Sequence, residues 1–233
     1  MSVHNEHRKR LRSRFLENGL DGFQDHEALE MLLYYSIARK DTNEIAHLLL
    51  DEFGSLPQVL SASPERLQKI DGIGEYSAAY ISFINDFIRF VCTKKKEDDF
   101  TALESLDDCG DYLYPRYLGR RDEIVYLLCL DGKCKVLGCK VVGEGSVNSA
   151  AVPIRRIVEI ALQLNASSAV LAHNHPNGVA VPSVADLATT RILANALAAV
   201  DVVLADHIIY ADEEYISLRQ SQYFPEGDVF TGV

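Results

Sequence analysis

The sequence predicts two joined parts: an all-helical N-terminal half and an α/β C-terminal half whose sheet is partly parallel. Three observations lead there. Apolar residues recur at helical spacing as far as about residue 92. Short Val-, Leu- and Ile-rich runs then alternate with helical segments, the pattern of strands covered by helices. Between the two regimes stands "TKKKEDDF", residues 93 to 100, a polar segment with little to bury. The boundaries read 1–92 for the helical domain, 93–105 for the linker and 106–233 for the α/β domain. A chain of 233 residues has room for two modest domains of this kind.

Within the first part, "HEALEMLLYYSIA" and "TNEIAHLLLDEF" are amphipathic helices, with Asp25 and Thr42 as N-caps and Gly54 as the stop of the second. "SPERLQKI" opens with Ser63 as cap and Pro64 at the first helical position. "DGIGEYSAAYISFINDFIRFV" is a glycine turn leading into a longer helix. In the second part, "DEIVYLLCL" and "KVLGCKVVGEGSV" are strands joined at Asp131-Gly132, a two-residue hairpin signal. "IRRIVEIALQLNA" is helical, "SSAVLAHNH" is a buried strand, and "SVADLATTRILANALAAV" is a helix. "DVVLADHIIY" and "EYISL" are strands turning at residues 212–214.

The totals exclude several classes. A net charge of −11 argues against a surface built throughout to grip nucleic acid. The N-terminus lacks the apolar core of a signal peptide, and no run is long enough to span a membrane. The five cysteines are odd in number and form no C-x-x-C pair, which fits reduced thiols in a cytoplasm.

The chemistry concentrates in "LAHNHPNGVAVPSVAD", residues 171–186. On a strand, residues i and i+2 face the same side, so His173 and His175 converge at the strand's C-terminal end, where open α/β sheets bind ligands. Two neutral imidazoles and a carboxylate suit zinc, leaving a fourth position for water. Asp186, one turn into the next helix, is the nearest carboxylate. Ser183 and Asp186 also read as a capping box, and for Asp186 capping and metal binding compete.

The full spacing, H-x-H, seven residues, Ser, two residues, Asp, resembles the JAMM signature of JAB/MPN+ metalloprotease-like domains. The surrounding wording, with "GEGSVNSAAVPIRR" upstream and "DHIIY" downstream, is similar to the RadC family over residues 105–225 or so. The resemblance implies a JAB/MPN-like mixed sheet with flanking helices. It also implies one zinc ion on His173, His175 and Asp186, with Ser183 holding the reactive water or stabilising the developing oxyanion. The family uses an upstream glutamate as general base, and Glu144 in "GEGS" is the best match. Zinc acidifies a water, but a carboxylate off the metal must still take the proton and pass it on. Where the family reads VHPRE this chain has "VPIRR": Arg155 matches, while Pro153, Ile154 and Arg156 depart, as does Asn177 in the histidine loop. None of these is a ligand position. Asp206-His207 is either fold support or a carboxylate orienting a ligand imidazole.

RadC-like chains carry a helix-hairpin-helix region ahead of the JAB domain, and "IDGIGEYSAAYI" resembles that element, with Gly72 and Gly74 in the turn. Backbone N–H groups after such a turn can receive a DNA phosphate. Residues 8–14, "RKRLRSR", concentrate positive charge, so residues 8–14 and 70–76 are the expected non-specific DNA contacts. Residues 1–98 nevertheless hold 13 Lys+Arg against 16 Asp+Glu, a net of −3. The leading expectation is a zinc metallopeptidase or isopeptidase acting on an unidentified peptide or protein. The alternatives are a DNA-binding protein of repair or recombination with an accessory zinc domain, and a metal-stabilised interaction module.

Overall fold

The computed structural model describes residues 3–38, 40–145, 153–176, 178–212 and 214–223. Asn177, part of the expected turn at 212–214 and residues 146–152 of the upstream motif lie outside the described residues. The chain divides into two compact units, Met1–Ile88 and Arg89–Val233.

Unit one is helical: α1 (Val3–Asn18), α2 (Asp25–Leu33), α3 (Thr42–Phe53), α4 (Leu56–Leu60), α5 (Pro64–Leu67) and the first half of α6 (Glu75–Asp99). Its core is the apolar face of these helices, with Leu29, Leu33, Ala46, Leu49, Val59, Leu67, Ala78 and Ile81 out of solvent. The first two caps fall one residue earlier than expected. Asp41, not Thr42, caps α3 by accepting the Asn43 N–H at 3.0 Å, and Thr42 turns inward. Gln24 precedes α2, its N–H donating to Glu27 at 3.0 Å. Ser63 caps α5, and Gly54 ends α3 at φ +89°.

Gly72 shapes the turn between α5 and α6. Its φ is +90°, and a Cβ there would lie 2.6 Å from Cδ1 of Ile45. The basic segment is partly engaged inside the unit. Arg8 donates to the carbonyls of Ile37, Ala38 and Lys40 at 2.9, 3.1 and 2.7 Å and lies over Tyr34. Arg14 pairs with Glu27 and lies over Phe23. Lys9, Arg10 and Arg12 remain exposed.

The expected linker is helical for most of its length. α6 runs unbroken through residues 93–99, and the boundary between units falls earlier, at Ile88/Arg89. The lysine-acid run continues the helix because its charges pair at helical spacing, Lys94 with Glu97 at 2.7 Å. Glu97 also meets Arg116 at 2.8 Å.

Unit two is a mixed five-stranded sheet, ordered β2-β1-β3-β4-β5. The strands are β1 (Ile124–Leu130), β2 (Val136–Glu144), β3 (Ser168–Asn174), β4 (Val203–Ala211) and β5 (Glu214–Ser217). Only β3 and β4 are parallel, as the intervening helix α9 (Val184–Ala198) requires. α8 (Ile154–Gln163) and α9 cover one face over Val125, Leu127, Cys129 and Leu171. α7 (Leu106–Leu113) and a 3-10 turn cover the other over Tyr126, Leu128, Val170, Ile208 and Tyr210. Alternate residues of β1 therefore enter opposite cores, which is why "IVYLLCL" is apolar throughout.

The β1–β2 hairpin is present with a longer loop than Asp131-Gly132 implied. One Asp131 oxygen accepts the N–H groups of Lys133 and Lys135 at 2.8 and 2.9 Å, while Cys134 takes φ +59°. A carboxylate bonded twice to backbone stabilises the wider turn, and the same bonds hold its pKa below the usual value. Among the described residues no helix is long and apolar enough to cross a membrane. All five cysteines are free thiols.

Gly72→Ala is expected to destabilise unit one by about 1–3 kcal/mol, because the new methyl meets both the Ile45 side chain and a disfavoured φ. Urea unfolding would show a lower midpoint at unchanged slope.

Candidate metal centre

β3 delivers the centre. Its odd-numbered residues face α9, so His173 follows Leu171 onto that side. The backbone stays extended one residue further, with the His175 N–H donating to Tyr210 at 2.7 Å, which keeps His175 on the same side. The two imidazoles meet through their Nε2 atoms at 3.0 Å. After His175 the loop folds back, and Nδ1 of His175 lies 3.1 Å from the carbonyl of Val179. That carbonyl can only accept, so Nδ1 carries the hydrogen and Nε2 keeps its lone pair.

Asp186 arrives from the first turn of α9. Its Oδ1 is 3.4 Å from Nε2 of His173, and its Oδ2 is 3.7 Å from Nε2 of His175. The capping box is present as well. Oδ2 accepts the N–H and hydroxyl of Ser183 at 2.8 and 2.6 Å, and Ser183 Oγ accepts the Asp186 N–H at 3.1 Å. Capping and approach to the histidines therefore coexist, since Oδ1 is left to face His173. The Ser183 hydroxyl hydrogen points into this carboxylate.

The carboxylate beside the imidazoles on the sheet side belongs to Glu123, a residue that no local motif marks. One ligand atom each from Glu123, His173 and His175 lie within 4.8 Å of one another. Strand register explains it. Val125 pairs with His173 in the antiparallel β1–β3 ladder, so two residues earlier on β1 comes opposite two residues later on β3. Asn174, whose side chain points the other way, secures this: its Oδ1 accepts the Ile124 N–H at 2.8 Å and its Nδ2 donates to the Asp122 carbonyl at 3.2 Å. The backbone is thus gripped on both sides of Glu123.

Glu144, expected as the general base, stands elsewhere. It ends β2 exposed and in register with Ile124, which faces the α7 core. Simple alternation from Val142 would turn Glu144 toward the histidines. A bulge shifts the register at Val142, so Gly143 shares the face of Val125 and Glu144 takes the opposite one.

Asp206 does not orient the imidazole of His207. Its Oδ1 accepts the backbone N–H groups of His207 and Arg219 at 2.7 and 3.1 Å. The ring of His207 instead lies between His173 and Thr190. Pro153 precedes α8, and Arg155 forms an exposed pair with Glu159 at 2.8 Å.

The residues present fit a divalent ion. A tetrahedral ion about 2.0–2.1 Å from each of two nitrogens holds them roughly 3.3 Å apart, close to the separation seen. Burial pushes the pKa of His173 down to about 4, against the pull of Asp186, and holds His207 well below its usual value. Both rings are therefore neutral at neutral pH, as ligation requires.

A helical unit followed by a mixed sheet with H-x-H at the end of β3 and Asp in the first turn of α9 defines a JAB-type domain with an N-terminal helical extension. A family model described as RadC-like JAB domain matches residues 103–223, and one described as UPF0758 N-terminal matches residues 4–79. A UPF0758 protein of Ruegeria pomeroyi is 33% identical over 94% of this chain and 97% of its own length. One of Fusobacterium nucleatum is 34% identical, over 92% and 95%. One of Photobacterium profundum is 37% identical, over 91% and 94%. The chain belongs to this RadC-like, UPF0758 family.

The metal-free protein is expected to lose stability as pH falls from 6.5 toward about 4. In that window the unfolded chain takes up protons on His173 and His207 that the folded centre refuses, so protonation favours unfolding. Melting temperatures measured from pH 7 to pH 4 would show the fall, with a shallower slope in His173→Gln.

Proposed function

We propose that the chain is a zinc-dependent hydrolase of the JAMM type that cleaves an amide or isopeptide bond in a peptide or protein. The convergence of His173, His175 and Asp186, with the Nε2 atoms 3.0 Å apart and carboxylate oxygens at 3.4 and 3.7 Å, carries this reading. These three side chains would hold the ion, which when bound supplies an acidified water and a polarised carbonyl.

Glu123 takes the role first expected of Glu144. Half-buried and beside both imidazoles, it can remove a proton from the attacking water and return it to the departing amine. Ser183 stabilises the oxyanion by turning its hydroxyl from Asp186 toward the substrate oxygen, its Oγ staying at the helix cap. The loop after His175 and the first residue of α9 expose Val179, Val181 and Val184, apolar surface better suited to a polypeptide than to a phosphate backbone. DNA association through residues 8–14 and 70–76 is the lesser reading, because Arg8 and Arg14 are engaged within unit one.

Elemental analysis is expected to find one zinc per chain, absent in His173→Ala. With a cleavable peptide or isopeptide substrate, Glu123→Gln should keep the zinc and lower kcat by roughly 10²- to 10⁴-fold, while Glu144→Gln changes neither. Full activity in Glu123→Gln would refute the proton-carrier assignment, and no zinc in the unmodified protein would refute the whole reading. Ser183→Ala is expected to lower kcat by about 10²-fold and, through the lost cap, stability by about 1 kcal/mol. Steady-state kinetics and thermal unfolding on the same sample separate the two effects.

A further inference from the structure

Behind His173 lies a chain of buried hydrogen bonds that the proposed hydrolysis does not itself use. Nδ1 of His173 is 2.8 Å from Nε2 of His207. Nδ1 of His207 is 2.6 Å from Oγ1 of Thr190, and that hydroxyl is 2.6 Å from the backbone carbonyl of Asp186. Thr190, His207 and His173 are 2%, 1% and 3% exposed, so bulk water does not complete their hydrogen bonding.

The donors can be assigned by counting hydrogens. The Asp186 carbonyl only accepts, so the single hydroxyl hydrogen of Thr190 goes to it. Oγ1 must then accept from His207, which places a hydrogen on Nδ1 of that ring. Among the described residues the ring of His207 bonds to His173 and Thr190 and to no carboxylate; Asp206 bonds to its backbone. A buried imidazolium with only a hydroxyl and another imidazole for partners is costly, so the ring is neutral and its Nε2 bare. Nδ1 of His173 must therefore be the donor in its turn. A neutral His173 with its hydrogen on Nδ1 presents a bare Nε2 to His175 and Asp186.

We propose that Thr190 and His207 are positioning residues that hold His173 in its Nδ1–H tautomer, setting Nε2 to receive a cation before any cation arrives. Direction enters the chain at one point, the Asp186 carbonyl, which belongs to the residue whose side chain also faces the site. The first turn of α9 thus supplies a carboxylate to the centre and, through its backbone, the tautomer of the histidine opposite.

The inference rests on the reading that His173 ligates metal, but its first test needs none. In metal-free protein labelled with ¹⁵N histidine, two-bond ¹H–¹⁵N correlation spectra should show His173 and His207 both as Nδ1–H tautomers. Finding His173 as the Nε2–H tautomer would overturn the proposal without any variant. The second test is zinc affinity by competition with a chromophoric chelator. Thr190→Val, close to the same shape, should weaken binding by roughly 10- to 100-fold, and Thr190→Ser should restore it. Unchanged affinity in Thr190→Val, or an equal loss in Thr190→Ser, would overturn it. If the unmodified protein took up no zinc, the hydrolase reading would fail while the ring tautomer of His173 still decided the relay.

Discussion

The antiparallel pairing of β1 with β3, with Val125 opposite His173, is the constraint on which the centre depends. A one-residue slip would send His173 to the α7 face and break every relation described for it. Continuous burial of β1 on both faces resists such a slip, because either displacement drives Tyr126 and Leu127 into the wrong cores. Asn174 adds a specific lock by bonding on either side of Glu123. The asparagine between the two histidines thus has a mechanical reason: its neighbours face the candidate centre while it fastens the strand that carries Glu123.

Asp186 shows how one carboxylate meets two demands. A helix start leaves unsatisfied N–H groups, and an acid at the third position is a common remedy. A cation centre also needs a negative oxygen held still. The serine bonds converge on Oδ2, so Oδ1 faces His173 without loss of the cap. The cap immobilises the side chain, which would lower the entropy lost on engaging a cation.

Much of this was legible in the sequence. The two-part architecture, the hairpin, the parallel β3–α9–β4 unit and the same-side placement of His173 and His175 follow from periodicity and turn residues, because helices and strands impose their own periods on side-chain direction; the approach of Asp186 is what the resemblance to the JAMM spacing implied. What escaped depends on pairing between distant segments. Glu123 and Glu144 both adjoin strands and both precede or follow turn residues, so nothing local separates them; the β1–β3 register and the bulge at Val142 do. The same holds for Thr190 and His207, 17 positions apart in sequence and 2.6 Å apart in space. At 93–99 the polar composition signalled a linker, yet paired charges at helical spacing made it the end of α6.

Burial grades the centre from inside to outside. His207 and Thr190 lie in the dry interior, where hydrogen-bond direction is strictly enforced because an unmet donor or acceptor has no water to turn to. His173 and Asp186 come next, with side chains 4% and 8% exposed. His175, at 21%, and the half-buried Glu123 border solvent. Groups that must keep a fixed protonation pattern therefore sit where protons do not exchange freely, and the acid that would carry a proton sits where water can reach it. A general base placed as deeply as His207 would have no route for its proton to leave; at the rim that exit to solvent is open.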